Sequence, residues 1–246
     1  MPIDLFNKTA GLPFLDKTFE PSFLLSLLAK KRKLLDERRG HNALTFSSYL
    51  IPSQGWRVFR ENASSNVDPL LHTNLNNAEK IMINQLEIEL IAELPDWRTS
   101  LSLPIQILRL EEDLLSSSAT SIPQHMFLSA RAFANRDVLC ECYIHELSHL
   151  WLTCYAEIFD FQVKSFRHHT LPTGTTGKDA RGVVYAAFFA ASVLQYLINT
   201  SRQTARASEL SRYLSGCLTT LTEHESELSS TGRLLHKRLI DFQQTI

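Results

Sequence analysis

Apolar positions recur at helical spacing along most of this chain. Between Pro21 and Arg39, Phe23, Leu24, Leu27, Leu28, Leu34 and Leu35 follow that spacing, and Gly40 is placed to end the helix. A second helix is predicted from about Ala78 to Leu94, with Asn74 or Asn77 as its N-cap and Pro95 as its stop. A long helix follows Asp137, a good N-cap, and runs from about Val138 to Phe159. After a loop holding Pro172, Gly174 and Gly177 comes a helix from about Asp179 to Asn199. Two more cover Ala205 to Leu221 and about Glu223 to Phe242. Strand signals are sparse. Leu103 to Leu110 alternates partly and is rich in Ile and Leu, and His125 to Ser129 is a short apolar run. Phe46 to Phe59 is expected to be extended or loop, Ser116 to Pro123 a polar loop, and the first 20 residues an irregular arm. The sum is a mainly α fold: a single helical domain over residues 1–246 with one small β-sheet. No repeat and no boundary cuts the chain.

Composition narrows the partners. Hydrophobic residues are 44% and charged residues 21% of the 246, an ordinary globular mix. Lys+Arg 25 against Asp+Glu 26 leaves a net charge of -1, which argues against nucleic acid, since neutralising phosphates needs a basic excess. The one basic run, Lys30, Lys31, Arg32, Lys33, Arg38 and Arg39, is interrupted by Asp36 and Glu37 and reads as a solvated helix face. Met1 to Ala10 has no basic stretch followed by an apolar core, so no secretory signal is visible. Val183 to Ile198, the most apolar stretch, includes Ser192 and Gln195 and falls short of the ~20 residues a bilayer requires, so a buried core helix is expected and no membrane partner. Cysteines 140, 142, 154 and 217 make no disulfide framework, and a reduced cytoplasmic protein is the expectation.

One motif carries chemistry. His145–Glu146–Leu147–Ser148–His149 is H-E-x-x-H inside the predicted long helix. Residues four apart differ by about 40° around a helix and about 6 Å along it, so both imidazoles leave one face and can hold one divalent ion. Glu146 points about 100° further round and can reach an ion-bound water. With His at 9 of 246 positions, random placement gives about 0.02 such motifs in a chain of this composition, which favours a metal site over two core histidines.

A third ligand has to come from elsewhere. Leu152 and Tyr155 stand where the extended metzincin pattern has Gly and His. The helix from Asp179 to Asn199 contains no Glu, which counts against a thermolysin-like peptidase. Candidates are Asp179, His168, His169, Tyr185 and His224 with its neighbours Glu223 and Glu225. Cys140 and Cys142 are read as small buried residues, because a C-x-C pair on a helix splits its sulfurs between faces. Arg181, in the first turn of its helix, is unfavourable for the helix dipole and is therefore a candidate for holding a carboxylate.

Three segments together resemble a known family: "MFLSARAFANRDVLCECYIHELSHLWL", "DARGVVYAAFFAASVLQYL" and "LTEHESELSSTGRLLHKRL". They are similar to the HExxH-motif peptide-modification family, which includes iron, 2-oxoglutarate-dependent peptide β-hydroxylases. That pattern is a short strand, L-x-H-E-x-x-H, a segment opening a helix, and a C-terminal L-x-x-x-G, and it spans about residues 124 to 240. Gly182 stands where the family has Pro and Tyr185 where it commonly has His. The resemblance implies a non-haem Fe(II) oxygenase of natural-product biosynthesis. His145 and His149 would hold iron, with Glu146 as a ligand or an orienting partner. Arg181 and Tyr185 would face 2-oxoglutarate, the third ligand would be His224, Asp179 or Tyr185, and O2 would hydroxylate a carbon, most simply Cβ, of a peptide or amino-acid-like substrate. The alternatives are a zinc metallopeptidase with Glu146 as general base, its substrate laid along the strand His125–Ser129, and a non-catalytic metal- or peptide-binding protein.

Overall fold

The computed structural model describes residues 5–38, 40, 45–55, 70–118, 122–163, 167–202 and 205–246. It is mainly helical with a four-stranded sheet. The helices are α1 (Leu5–Lys8), α2 (Ser22–Arg38), α3 (Asn77–Glu93), α4 (Arg136–Ile158), α5 (Ala180–Asn199), α6 (Ala205–Glu223) and α7 (Ser230–Gln243). The strands are β1 (His72–Asn74), β2 (Gln106–Leu110), β3 (Ser116–Ser117) and β4 (His125–Ser129). The chain forms two compact units, residues 25–153 and residues 1–24 with 154–246, and α4 runs through the division.

Residues 25–153 hold the sheet, in the order β1-β2-β4-β3. β2 and β4 pair in parallel with Gln106 opposite His125, while β1 and β3 flank them antiparallel. All five β4 residues are buried. A strand covered on both faces reads as a continuous apolar run. Leu108, Leu110, Ile122 and Phe127 form a buried cluster around these two strands. α3 is tied to its neighbours by polar pairs: Glu79 to Arg109, Glu87 to the Tyr143 hydroxyl at 2.5 Å, and Glu89 to Arg136 at 2.5 Å.

Residues 154–246 and the N-terminal arm make the other unit. Fourteen residues of α5 are buried, so it is a core helix on nearly every side. It is long and apolar enough to cross a membrane, yet 72% of its apolar window is buried inside the protein. α6 packs on it with the stripe Leu210, Leu214, Cys217, Leu218 and Leu221, and α7 with Leu235 and Leu239. The arm is more ordered than its composition suggests. Leu5, Phe6, Leu12, Phe14 and Phe19 are buried, and the Thr9 hydroxyl lies 2.8 Å from that of Tyr155.

Several expectations are corrected. The α3 cap is Asn76, whose side chain accepts from the Glu79 N–H while Glu79 reaches back to the Asn76 N–H; the capping box decides between neighbouring asparagines. Asn135 caps α4 by accepting from the Asp137 N–H at 2.7 Å, so Asp137 sits in the first turn. Ser116–Ser117 is a strand, Phe46–Leu50 a 3₁₀ turn, and residues 56–59 lie outside the described residues. A 3₁₀ turn at Glu225–Glu227 and a fresh N-cap at Ser229 interrupt the last predicted helix. The basic run is not wholly solvated either. Arg32 is buried, donates to Gln124 at 2.5 Å and lies 4.7 Å over the Tyr49 ring, and Asp36 accepts from the Tyr49 hydroxyl. A hydrogen bond to Gln124 and the ring of Tyr49 cover what composition left outside.

Candidate metal centre

The middle of α4 is buried nearly all round. Leu139, Cys140, Cys142, Tyr143, Ile144, Leu147, Leu150 and Trp151 are buried, and Trp151 is pinned by its indole N–H to the Ser100 carbonyl at 2.7 Å. From Val138 to His149, the positions that keep partial exposure are Val138, Glu141, His145 and His149. Their spacing of three and four residues is one narrow strip. The sequence thus folds so that the only solvent-touching line on this stretch of helix carries both motif histidines.

The rings of His145 and His149 stand edge to face with centroids 4.5 Å apart. Glu146 lies beside them, 3% exposed, with Oε2 3.8 Å from His149 Nδ1. One nitrogen from each imidazole and one Glu146 oxygen all lie within 4.8 Å of one another. Two ligands about 2.1 Å from one ion stand at most about 4.2 Å apart, so small side-chain rotations close this set on a metal. Two histidines and one carboxylate on one side of an ion leave its other positions open.

Glu146 is held by groups the sequence reading passed over. The Ser116 hydroxyl donates to Oε1 at 2.6 Å and the Ser118 hydroxyl to Oε2 at 2.7 Å. Residues two apart along an extended strand share a face, so the pair brackets the carboxylate from one side. Two charge-assisted hydrogen bonds offset the cost of burying this charge. The run of three serines was the available signal, but its partner is 28 to 30 residues away and only the pairing of β3 with β4 places it. Cys142 is also near. Burial, with the Glu146 charge adding to it, pushes its thiol up to about 11.

The other candidates lie in the unit of residues 154–246, where several have partners of their own. Asp179 is the N-cap of α5, accepting from the Gly182 N–H at 2.8 Å and from Gln162 at 2.8 Å. Arg181 is 3.4 Å from Asp160 and 3.7 Å from Asp179, so two carboxylates already answer its charge. Tyr185 is buried with its ring 6.2 Å from that of Phe161. His224 lies 3.2 Å from Arg167, and Glu227 accepts from His169 at 3.0 Å. Among the described residues, the metal-competent set of His, Cys, Asp and Glu comprises His145, Glu146 and His149, with no fourth member. β4 is also not the open strand. It lies between β2 and β3, and β3 is the edge on its side of the sheet.

Compared with known proteins, the chain matches no family model and no curated protein.

Proposed function

We propose that this protein is a metal-dependent enzyme, specifically a non-haem Fe(II), 2-oxoglutarate-dependent oxygenase that hydroxylates a carbon of a peptide or amino-acid-like substrate. The observation that carries this reading is the gathering of His145, Glu146 and His149 with one donor atom of each within 4.8 Å of the others. Two imidazoles and a carboxylate are the donor set that suits iron(II) while leaving positions for other molecules. The resemblance of the three segments adds the cosubstrate and the substrate class.

When bound, iron with 2-oxoglutarate and O2 supplies an oxidation in which one oxygen atom enters a substrate C–H bond, the other leaves in succinate, and carbon dioxide is released. The chain's own part is positioning. His145 and His149 present their nitrogens from the exposed strip of α4. Ser116 and Ser118 fix the Glu146 carboxylate, and orienting partners of this kind tune the ligand they hold. The buried flanks of α4 keep water to the one side from which substrate comes. This proposal does not draw on Arg181, which lies beside Asp160 and Asp179.

A zinc metallopeptidase has one observation in its favour. Both Glu146 oxygens accept hydrogen bonds, which suits a carboxylate standing beside an ion-bound water as general base. The test is to load metal-free protein anaerobically with Fe(II) and then 2-oxoglutarate. The oxygenase reading expects one equivalent of iron, a weak visible absorption band on adding 2-oxoglutarate, and succinate once O2 is admitted. Zinc-loaded protein that cleaves peptides without 2-oxoglutarate would replace it with the second reading.

A further inference from the structure

The backbone N–H and C=O of Ser116 face away from β4. Ser116 stands opposite Leu128, Ser117 opposite Phe127, and the Leu115 carbonyl accepts from the Ser129 N–H at 3.0 Å. Backbone groups alternate in an antiparallel ladder, so Leu115 and Ser117 direct theirs at β4 and Ser116 directs its N–H and C=O outward. β3 ends the sheet, and neither group has a hydrogen-bond partner among the described residues. The same residue donates its hydroxyl to Glu146 at 2.6 Å. Just before it, Leu114 and Leu115 are exposed by 50% and 38%.

We propose that an extended peptide binds by adding a strand to β3, exchanging backbone hydrogen bonds with Ser116. A strand added there lies about 4.8 Å from β3. The peptide residue opposite Ser116 has its side chain on the face that Ser116 turns to Glu146, since directly opposed residues share a face. That residue's Cβ is thereby presented to the metal-binding set, while Leu114 and Leu115 offer apolar contact to its neighbours. A second copy of the chain is a poorer occupant, because a two-residue edge pairs too little backbone to join two sheets. The proposal takes its chemistry from the oxygenase reading, but strand addition itself needs no metal.

The experiment uses metal-free full-length protein and a displayed library of random dodecapeptides, selected in parallel on wild type and on Ser116→Pro. Proline at 116 removes the outward N–H and leaves the hydrogen bonds to β4, a placement that edge strands tolerate. It also deletes the hydroxyl bonded to Glu146, so Ser116→Ala, which keeps the N–H, is the control and should bind the peptides as wild type does. Peptides enriched on wild type should bind Ser116→Pro about tenfold more weakly, and N-methylating one single peptide position should cost wild-type binding about as much. The N-methyl series keeps the test decisive if Ser116→Pro does not fold. Three results would each overturn the proposal: no enrichment on wild type, enriched peptides that bind indifferently to every N-methyl position, or a wild-type dimer that Ser116→Pro makes monomeric. A separate Fe(II) titration keeps the outcomes apart, since failure to bind iron sinks the oxygenase reading and leaves the strand result standing.

Discussion

Removing the hydroxyls that hold Glu146 tests the site at its most buried point. Ser116→Ala and Ser118→Ala each delete one hydrogen bond to a charged acceptor, and such bonds contribute about 1.5–3 kcal/mol. At 3% exposure the carboxylate cannot recover the loss from bulk water. For a chain of this length, about 2–4 °C of Tm accompanies each kcal/mol, so each variant should melt about 3–12 °C below wild type in the metal-free state. The double variant should lose less than the sum, because both donors serve one carboxylate. Metal affinity should fall about 10- to 100-fold, as when an orienting partner of a ligand is removed. Thermal unfolding and a competitive metal titration read the two effects. In a Glu146→Ala background both serine changes should cost under about 0.5 kcal/mol, since the acceptor is gone. If the single variants melt within about 1 °C of wild type and keep metal affinity within about twofold, the hydroxyls do not hold Glu146.

His145→Ala or His149→Ala should each abolish stoichiometric metal binding in folded protein, measured by elemental analysis, and a variant retaining a full equivalent would disprove the helix site. Arg181→Ala should leave the apparent 2-oxoglutarate affinity of the Fe(II) protein unchanged and cost under about 1 kcal/mol, as for other exposed ion pairs. A tenfold or greater loss of cosubstrate affinity would instead restore the carboxylate role its position suggested. Gly232→Ala would place a Cβ 2.0 Å from the Phe161 carbonyl oxygen, so it should cost at least about 3 kcal/mol in chemical unfolding, and a neutral result would contradict this close approach. Burial lowers the pKa of His125 and of His236 below the ordinary value, so the unfolded chain takes up protons first and stability falls as pH drops below about 6.5. His125→Gln should flatten that decline by up to about 1.4 kcal/mol per pH unit in denaturant titrations between pH 7 and 5.5, and an unchanged slope would remove burial as its cause.

What the sequence made legible is what one helix can encode by itself. The spacing of His145 and His149 is local, and the strip that exposes them is the complement of the apolar positions around it. The apolar run of α5 announced a core helix for the same reason. Ser116 and Ser118 escaped because their significance depends on Leu128 and Phe127, which set the register of β3, and on Glu146, which lies on a different element. Arg181 shows the opposite case, a position whose neighbours the helix period does not contain. Its place in a first helical turn looks unfavourable until Asp160 and Asp179 are seen beside it, supplying the charge that the helix end does not. Gly232 shows how pattern and cause can separate. Its four-residue spacing from Leu228 is visible in the sequence, but the reason for glycine is the carbonyl of Phe161, 71 positions earlier, coming too close for any side chain. A helix period reports which face is buried, whereas the groups that meet that face are chosen by pairings the period does not contain. The functional residues most open to discovery by structure are therefore those on short strands and turns, where two or three polar residues carry no period at all.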